Sequence, residues 1–161
     1  MLPFKKILCP TDFSKPSGKA MKAAGELALH FSSELLVVHV VVPVPVVPGI
    51  PLSVNVAEYQ QELEISSKKK LENWVRNNVS KKIRAGTRVV LGDPAEQIVK
   101  IAGEEETDLI VIATQGQTGF KRLAFGSVTE KVVRLSPEPV LTIRPASTPK
   151  QRPPAPKKKK R

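Results

Sequence analysis

The chain reads as an α/β domain, an open five-stranded parallel sheet with helices on both faces. Three observations predict it. Short apolar runs alternate with segments of helical periodicity along most of the 161 residues. The runs lack the polar alternation of a half-exposed sheet. Aromatic residues make up only 4% of the chain, which leaves Val, Ile, Leu and Ala to build the core. Strands without polar alternation are covered on both faces, and parallel strands need crossovers long enough for helices.

Each element follows in order. Residues 6–9 are a first strand stopped by Pro10. Asp12, Ser14 and Pro16 supply helix-start chemistry, a side-chain acceptor for free amides and a fixed φ in the first turn. Ala20, Ala23, Ala24, Leu27, Ala28 and Phe31 then recur at helical spacing, small enough to lie close on a sheet. Residues 35–42 are nearly continuous β-branched sequence and read as a buried second strand, followed by a proline-rich loop. A long polar helix spans 57–80, with Leu63, Leu71, Trp74, Val75 and Val79 as its inward positions. Residues 87–91 form a third strand, and Gly92-Asp93-Pro94 starts a helix that turns Ile98, Val99 and Ala102 inward. Residues 109–113 are a fourth buried strand, leading into a glycine-containing loop over 114–126. Ser127 opens the last helix. A fifth strand runs from Pro139, where a missing N–H does least harm, to Ile143. This alternation is Rossmann-like, with an expected strand order of 3-2-1-4-5.

Composition narrows the function. Net charge is +11, but seven Lys and Arg residues lie in the acid-free segment 146–161, leaving +4 for the remainder. The domain is therefore expected over 1–145, with 146–161 a disordered Pro/Lys-rich basic tail that has too little apolar surface to fold. A single cysteine, Cys9, rules out an intramolecular disulfide and a cysteine metal cluster, and its apolar neighbours suggest a buried structural thiol. No signal peptide is evident, and the apolar stretch 35–47 is too short and too interrupted by proline to span a bilayer. A cytoplasmic location without a transmembrane segment is the expectation.

Open parallel sheets bind ligands at the carboxyl ends of their strands, where strand order reverses. Two segments there can do chemistry. Pro10-Thr11-Asp12 follows the first strand, and Ala113 through Gly116, with Gly126-Ser127, follows the fourth. Glycines allow close approach to an oxygen-rich group, and the next helix offers free N–H groups that suit phosphate. Asp12 accepts hydrogen bonds, so it suits ribose hydroxyls or an adenine amino group; local sequence alone leaves it equally able to cap the first helix. Neither a GxxxxGK[ST] nor a GxGxxG motif is present. His39 reads as a core histidine, Glu104-Glu105-Glu106 as a solvated turn, and Lys121 and Arg122 as either phosphate contacts or a solvated loop face.

The whole pattern resembles the universal stress protein family over residues 4–145. The resemblance rests on Lys5-Lys6-Ile7-Leu8-Cys9-Pro10-Thr11-Asp12-Phe13-Ser14, on His39-Val40, on Gly92-Asp93-Pro94, and above all on Gly116 through Val132 followed by Ser136-Pro137-Glu138-Pro139-Val140-Leu141. It implies an adenine-nucleotide α-hydrolase-like fold and a site for ATP, or AMP, with Mg²⁺ accompanying only the nucleotide. ATP-binding members resemble G-x2-G-x9-G-[S/T] here; Gly116, Gly126 and Ser127 match, whereas Ala113 stands at the first glycine. By the resemblance, Asp12 contacts the nucleoside, with the backbone around Thr11 and Val40 framing the adenine. Gly116, Gly126, Ser127 and Val128 surround ribose and phosphates, and Pro10, Ile112 and Ala113 belong to the same binding site.

The resulting expectation is a regulatory ATP-binding protein of the stress response rather than an enzyme, dimerising through the strand from Pro139 to Ile143. The alternatives are a weak ATPase or phosphotransferase, and a nucleotide-independent adaptor. The adaptor would use the dimer surface and the basic tail to hold an anionic partner, nucleic acid or membrane, weakly and without sequence preference.

Overall fold

A computed structural model describes residues 2–44, 55–116 and 126–144. They form β1 (Lys6–Pro10), α1 (Lys15–Phe31), β2 (Glu34–Val41), α2 (Val56–Asn78) and β3 (Ala85–Leu91). After these come α3 (Pro94–Glu104), β4 (Leu109–Ala113), α4 (Ser127–Leu135) and β5 (Val140–Ile143). All strand pairs are parallel and the order is β3-β2-β1-β4-β5, the order expected. The segments 117–125 and 145–161, which hold Lys121, Arg122 and the basic tail, lie outside the described residues.

Successive strand residues point to opposite faces, so each central strand serves two cores. Ile7, Cys9, Leu35, Val37, Leu109 and Val111 face α1 and α2, packing on Ala20, Met21, Ala24 and Leu71. Leu8, Leu36, Val38, Ile110 and Ile112 face the other way, against Ile98, Ile101 and Ala102 of α3 and Val132 of α4. Burial on both sides explains why these strands are apolar without alternation. Cys9 is fully buried, and burial pushes its thiol up to about 12. β3 starts two residues earlier than its apolar signal, because Ala85 and Gly86 pair with Leu35 and Leu36 while carrying almost no side chain.

Helix starts follow cap chemistry. Ser14 accepts from the Ser17 N–H at 3.3 Å, Asn55 from Ala57 and Glu58, and Asp93 from Glu96 at 3.0 Å. Asp12 is thus not the cap of α1. Its Oδ1 instead accepts from the Ser14 N–H at 3.0 Å, closing a turn between strand and helix. Gly126 stands at the cap of α4 without a side-chain bond to offer. Gly92, with φ +145°, makes the turn between β3 and α3 that a β-carbon would strain.

The opposite end of the sheet is stapled by charge. Asp108 accepts from the backbone N–H groups of Lys5 and Lys6, and Glu34 pairs with Arg84. Glu105 binds Lys6 at 2.6 Å and Arg88 at 3.1 Å, while Glu104 binds Arg88 at 2.7 Å. Residues 104–106 face solvent at the end of α3, as expected, and the first two are in addition ion-paired. Lys6 and Arg88 come from strands distant in sequence, and their charges hold the Glu105 carboxyl below the usual carboxylate range, the Lys6 hydrogen bond contributing most. No helix among the described residues is long and apolar enough to cross a membrane.

Candidate functional site

β1 leads to β2 on one side of the sheet, and β4 leads to β5 on the other. Their diverging carboxyl ends open a cleft of about 560 Å³, within the size range of small-molecule sites. The ten residues that the resemblance assigns to the site all line it. Pro10, Thr11 and Asp12 enter from the exit of β1, and Val40 from β2. Ile112, Ala113 and Gly116 come from β4 and its exit, and Gly126, Ser127 and Val128 from the start of α4.

Hydrogen bonds bring these segments to one place. The Gly126 N–H donates to the Thr114 carbonyl at 2.6 Å, and the Thr129 hydroxyl donates to the Ala113 carbonyl at 2.7 Å. The two ends of the loop over 114–126 therefore meet beside the exit of β4. The first N–H groups of a helix have no intrahelical partner, and α4 lacks a side-chain cap, so its N-terminus presents donors and a positive dipole end at the cleft. In the same cleft, a β-carbon on Gly116 would fall 2.8 Å from Asp12 Oδ2, so the close approach of these two segments requires glycine. Asp12 is the one carboxylate among the described residues lining the cleft.

Ala113, the departure from the glycine pattern, has no positive φ and lies in the core layer under α1. Its methyl occupies a place in the packing, and its backbone needs no glycine.

His39 is corrected from a core histidine to a half-buried residue at the cleft wall. Its Nδ1 lies 2.8 Å from the Thr11 carbonyl, and a carbonyl only accepts, so Nδ1 carries the proton. Burial is the main cause that lowers its pKa below 6.5 and Lys70 adds to it, while the Thr11 bond and Asp12 work against the shift. Sequence reasoning also missed the contributions of distant helices. Leu63 and Ser67 of α2 and Pro94 and Ile98 of α3 line the cleft. Leu63 had been assigned an inward position, and Ser67 lies one helical turn further along the same face; that spacing was the available signal. Among the described residues no three His, Cys, Asp or Glu side chains converge as a metal site.

The likeness to known proteins is extensive. The universal stress protein family model matches residues 3–144. Universal stress protein MJ0531 of Methanocaldococcus jannaschii is 35% identical over 148 residues, covering 88% of this chain and 82% of the relative. MJ0577 of the same organism, also a universal stress protein, is 32% identical over 154 residues, covering 88% of this chain and 95% of its own length. The solved structure of MJ0577 superposes with a TM-score of 0.75, covering 89% of this chain and 98% of that one. A universal stress protein of Archaeoglobus fulgidus, solved in complex with dAMP, shares the fold at 21% identity and a TM-score of 0.61, covering 88% of this chain and 98% of that one. By sequence, strand order and cleft position, the chain belongs to the universal stress protein family.

Proposed function

We propose that the cleft binds an adenine nucleotide, ATP in the first place, and that the protein works as a regulatory binder in a stress response rather than by turnover. One observation carries the reading: Asp12, the one carboxylate among the described residues lining the cleft, and the N-terminus of α4 border the same cleft at the point where strand order reverses. The carboxylate suits hydroxyl or amino donors of a nucleoside, and the helix end suits phosphate. Between them the walls are largely aliphatic, with Val40, Ile98, Ile112 and Val128 suited to the faces of a purine. The dAMP held by the A. fulgidus protein is the same class of ligand on the same fold. Mg²⁺ would enter with the phosphates.

The test is nucleotide content. Protein purified without added nucleotide is denatured and any released small molecule identified; ATP with Mg²⁺ is then titrated into emptied protein by calorimetry. Stoichiometric adenine nucleotide, lost in Gly126→Val, is the expected result. An empty cleft that gives no heat overturns the reading.

We further propose a homodimer through β5. It is the sheet's outer strand, with one edge unpaired, and Leu141, Val133 and Leu135 on β5 and α4 are exposed by 39%, 47% and 45%. Such an edge is a pairing template. Light scattering that finds only monomer at high concentration refutes it.

A further inference from the structure

Asp12 is held in a turn whose shape is set by the residue after it. Phe13 has φ +62°, in the left-handed region that residues with a β-carbon rarely enter. Backbone in such a conformation persists only where its surroundings over-determine it, and here they do. The Phe13 ring lies on the His39 imidazole, with centroids 4.4 Å apart, and meets Trp74 edge-on at 5.7 Å. The Lys70 ammonium sits 4.2 Å from the centroid of the same ring. The Phe13 N–H donates to Thr11 Oγ1 at 3.0 Å, and His39 Nδ1–H donates to the Thr11 carbonyl at 2.8 Å. The Ser14 N–H then reaches Asp12 Oδ1 at 3.0 Å.

Side chains from β2 and α2 thus converge on Thr11 and Phe13, the residues on either side of Asp12. Filling a core does not require a left-handed backbone, and Phe13 is only half-buried. The unusual φ instead lets the ring turn back onto β2 and α2 while the carboxylate beside it stays at the cleft. We propose that Phe13 and His39 are positioning residues for Asp12: they fix the carboxylate where a nucleoside meets it. Trp74 and Lys70 extend the same support to α2. The inference rests on the nucleotide-binding reading for its consequence, and on the apo turn for its geometry.

The full chain can test both parts. In ligand-free protein, amide hydrogen exchange at Ser14 reports the bond to Asp12. Phe13→Ala is expected to accelerate it about tenfold while amides of β1 keep their protection, because only the turn loosens. Phe13→Gly relieves the left-handed strain that alanine keeps, so it is expected to lose less protection than Phe13→Ala. Phe13→Tyr keeps the ring and is expected to behave as wild type. His39→Leu, which cannot donate to Thr11, follows Phe13→Ala, whereas His39→Asn retains a donor and recovers most of the protection. By ATP calorimetry, Phe13→Ala raises Kd about tenfold, but less than about twofold in an Asp12→Asn background, because the effect acts through that carboxylate. Unchanged Ser14 exchange in Phe13→Ala overturns the proposal, as does an equal loss of affinity in both backgrounds. Wild-type protein that binds no nucleotide removes the functional reading instead, and Ser14 exchange still decides whether the turn is held as described.

Discussion

Gly116→Ala isolates the close approach of the two cleft walls. The residue has no positive φ, so alanine fits its backbone, and the substitution tests contact alone. The added β-carbon would lie 2.8 Å from Asp12 Oδ2, whereas ordinary contact begins near 3.4 Å. The carboxylate must retreat by roughly 0.6 Å, a distance over which close contacts and hydrogen-bond geometry change sharply. It cannot rotate away without cost, because its other oxygen accepts from the Ser14 N–H. A hydrogen bond to a charged group contributes about 1.5–3 kcal/mol, and displacement at the low end of that range raises Kd about tenfold. Folding is little affected, since glycine-to-alanine at a compatible position stabilises by about 0.4–1 kcal/mol through the unfolded chain, offsetting part of the local push. ATP calorimetry gives Kd, and thermal unfolding gives stability. The chain has one tryptophan, Trp74, and its contact with Phe13 offers a fluorescence readout of the same turn. A Kd within about twofold of wild type refutes the steric argument. So does an equal loss when Asp12 has already been replaced by alanine.

Three further outcomes follow from burial and charge. His39 has a folded pKa below 6.5, so the unfolded chain takes up the proton first as pH falls; stability present above 6.5 is lost on moving down toward the folded value. His39→Asn should flatten that slope in urea midpoints measured between about pH 7 and 5.5, a window above the one in which Asp93 and Glu105, lowered from 3.8 and 4.5, begin to protonate. Cys9 should resist iodoacetamide in native protein and react fully in urea, because burial holds its thiol near 12; stability should also fall as pH rises above 9.0, where the unfolded thiol ionises first. Leu71→Ala should cost about 2–5 kcal/mol by chemical denaturation, since Leu71 is the one fully buried residue of α2 and its loss leaves a cavity against α1 and the sheet.

What the sequence disclosed follows from which interactions are local. Strand and helix signals are written in runs of neighbouring residues, so all nine elements could be placed to within a few residues. The strand order 3-2-1-4-5 then put the exits of β1 and β4 together, which is why ten residues chosen from separate segments line one cleft. Local chemistry failed where a side chain answers to something far along the chain. Local sequence left Asp12 able either to cap α1 or to face a ligand, and Ser14 takes the cap. His39 looked like core because its strand is apolar on both sides, yet its partner is the Thr11 carbonyl, 28 residues earlier. Glu105 looked solvated because its neighbours are charged, yet Lys6 reaches it across 99 residues. Ser67 offered only its spacing from Leu63, since Ser66 beside it is the same residue type on a polar helix.

The placement of charge connects these cases to the proposed ligand. Acidic side chains crowd the amino ends of the strands, where Asp108 takes backbone N–H groups and Glu34, Glu104 and Glu105 are paired with lysine or arginine. At the carboxyl ends, Asp93 and Glu96 are paired with Lys131, and Asp12 is the one carboxylate among the described residues lining the cleft. A phosphate entering a cleft lined by several carboxylates would meet like-charge repulsion, strengthened where water is excluded. With one carboxylate on the described wall and a helix N-terminus bordering the same cleft, a ligand that carries both a neutral, donor-bearing part and an anionic part is favoured over one that carries either alone. A nucleotide has that polarity, and a bare anion or a neutral nucleoside has only half of it. Adenosine should therefore bind more weakly than AMP or ATP, and inorganic triphosphate should be insensitive to Asp12→Asn. Triphosphate binding that weakens as much as ATP binding in that variant would mean that Asp12 shapes the whole cleft and does not select the nucleoside.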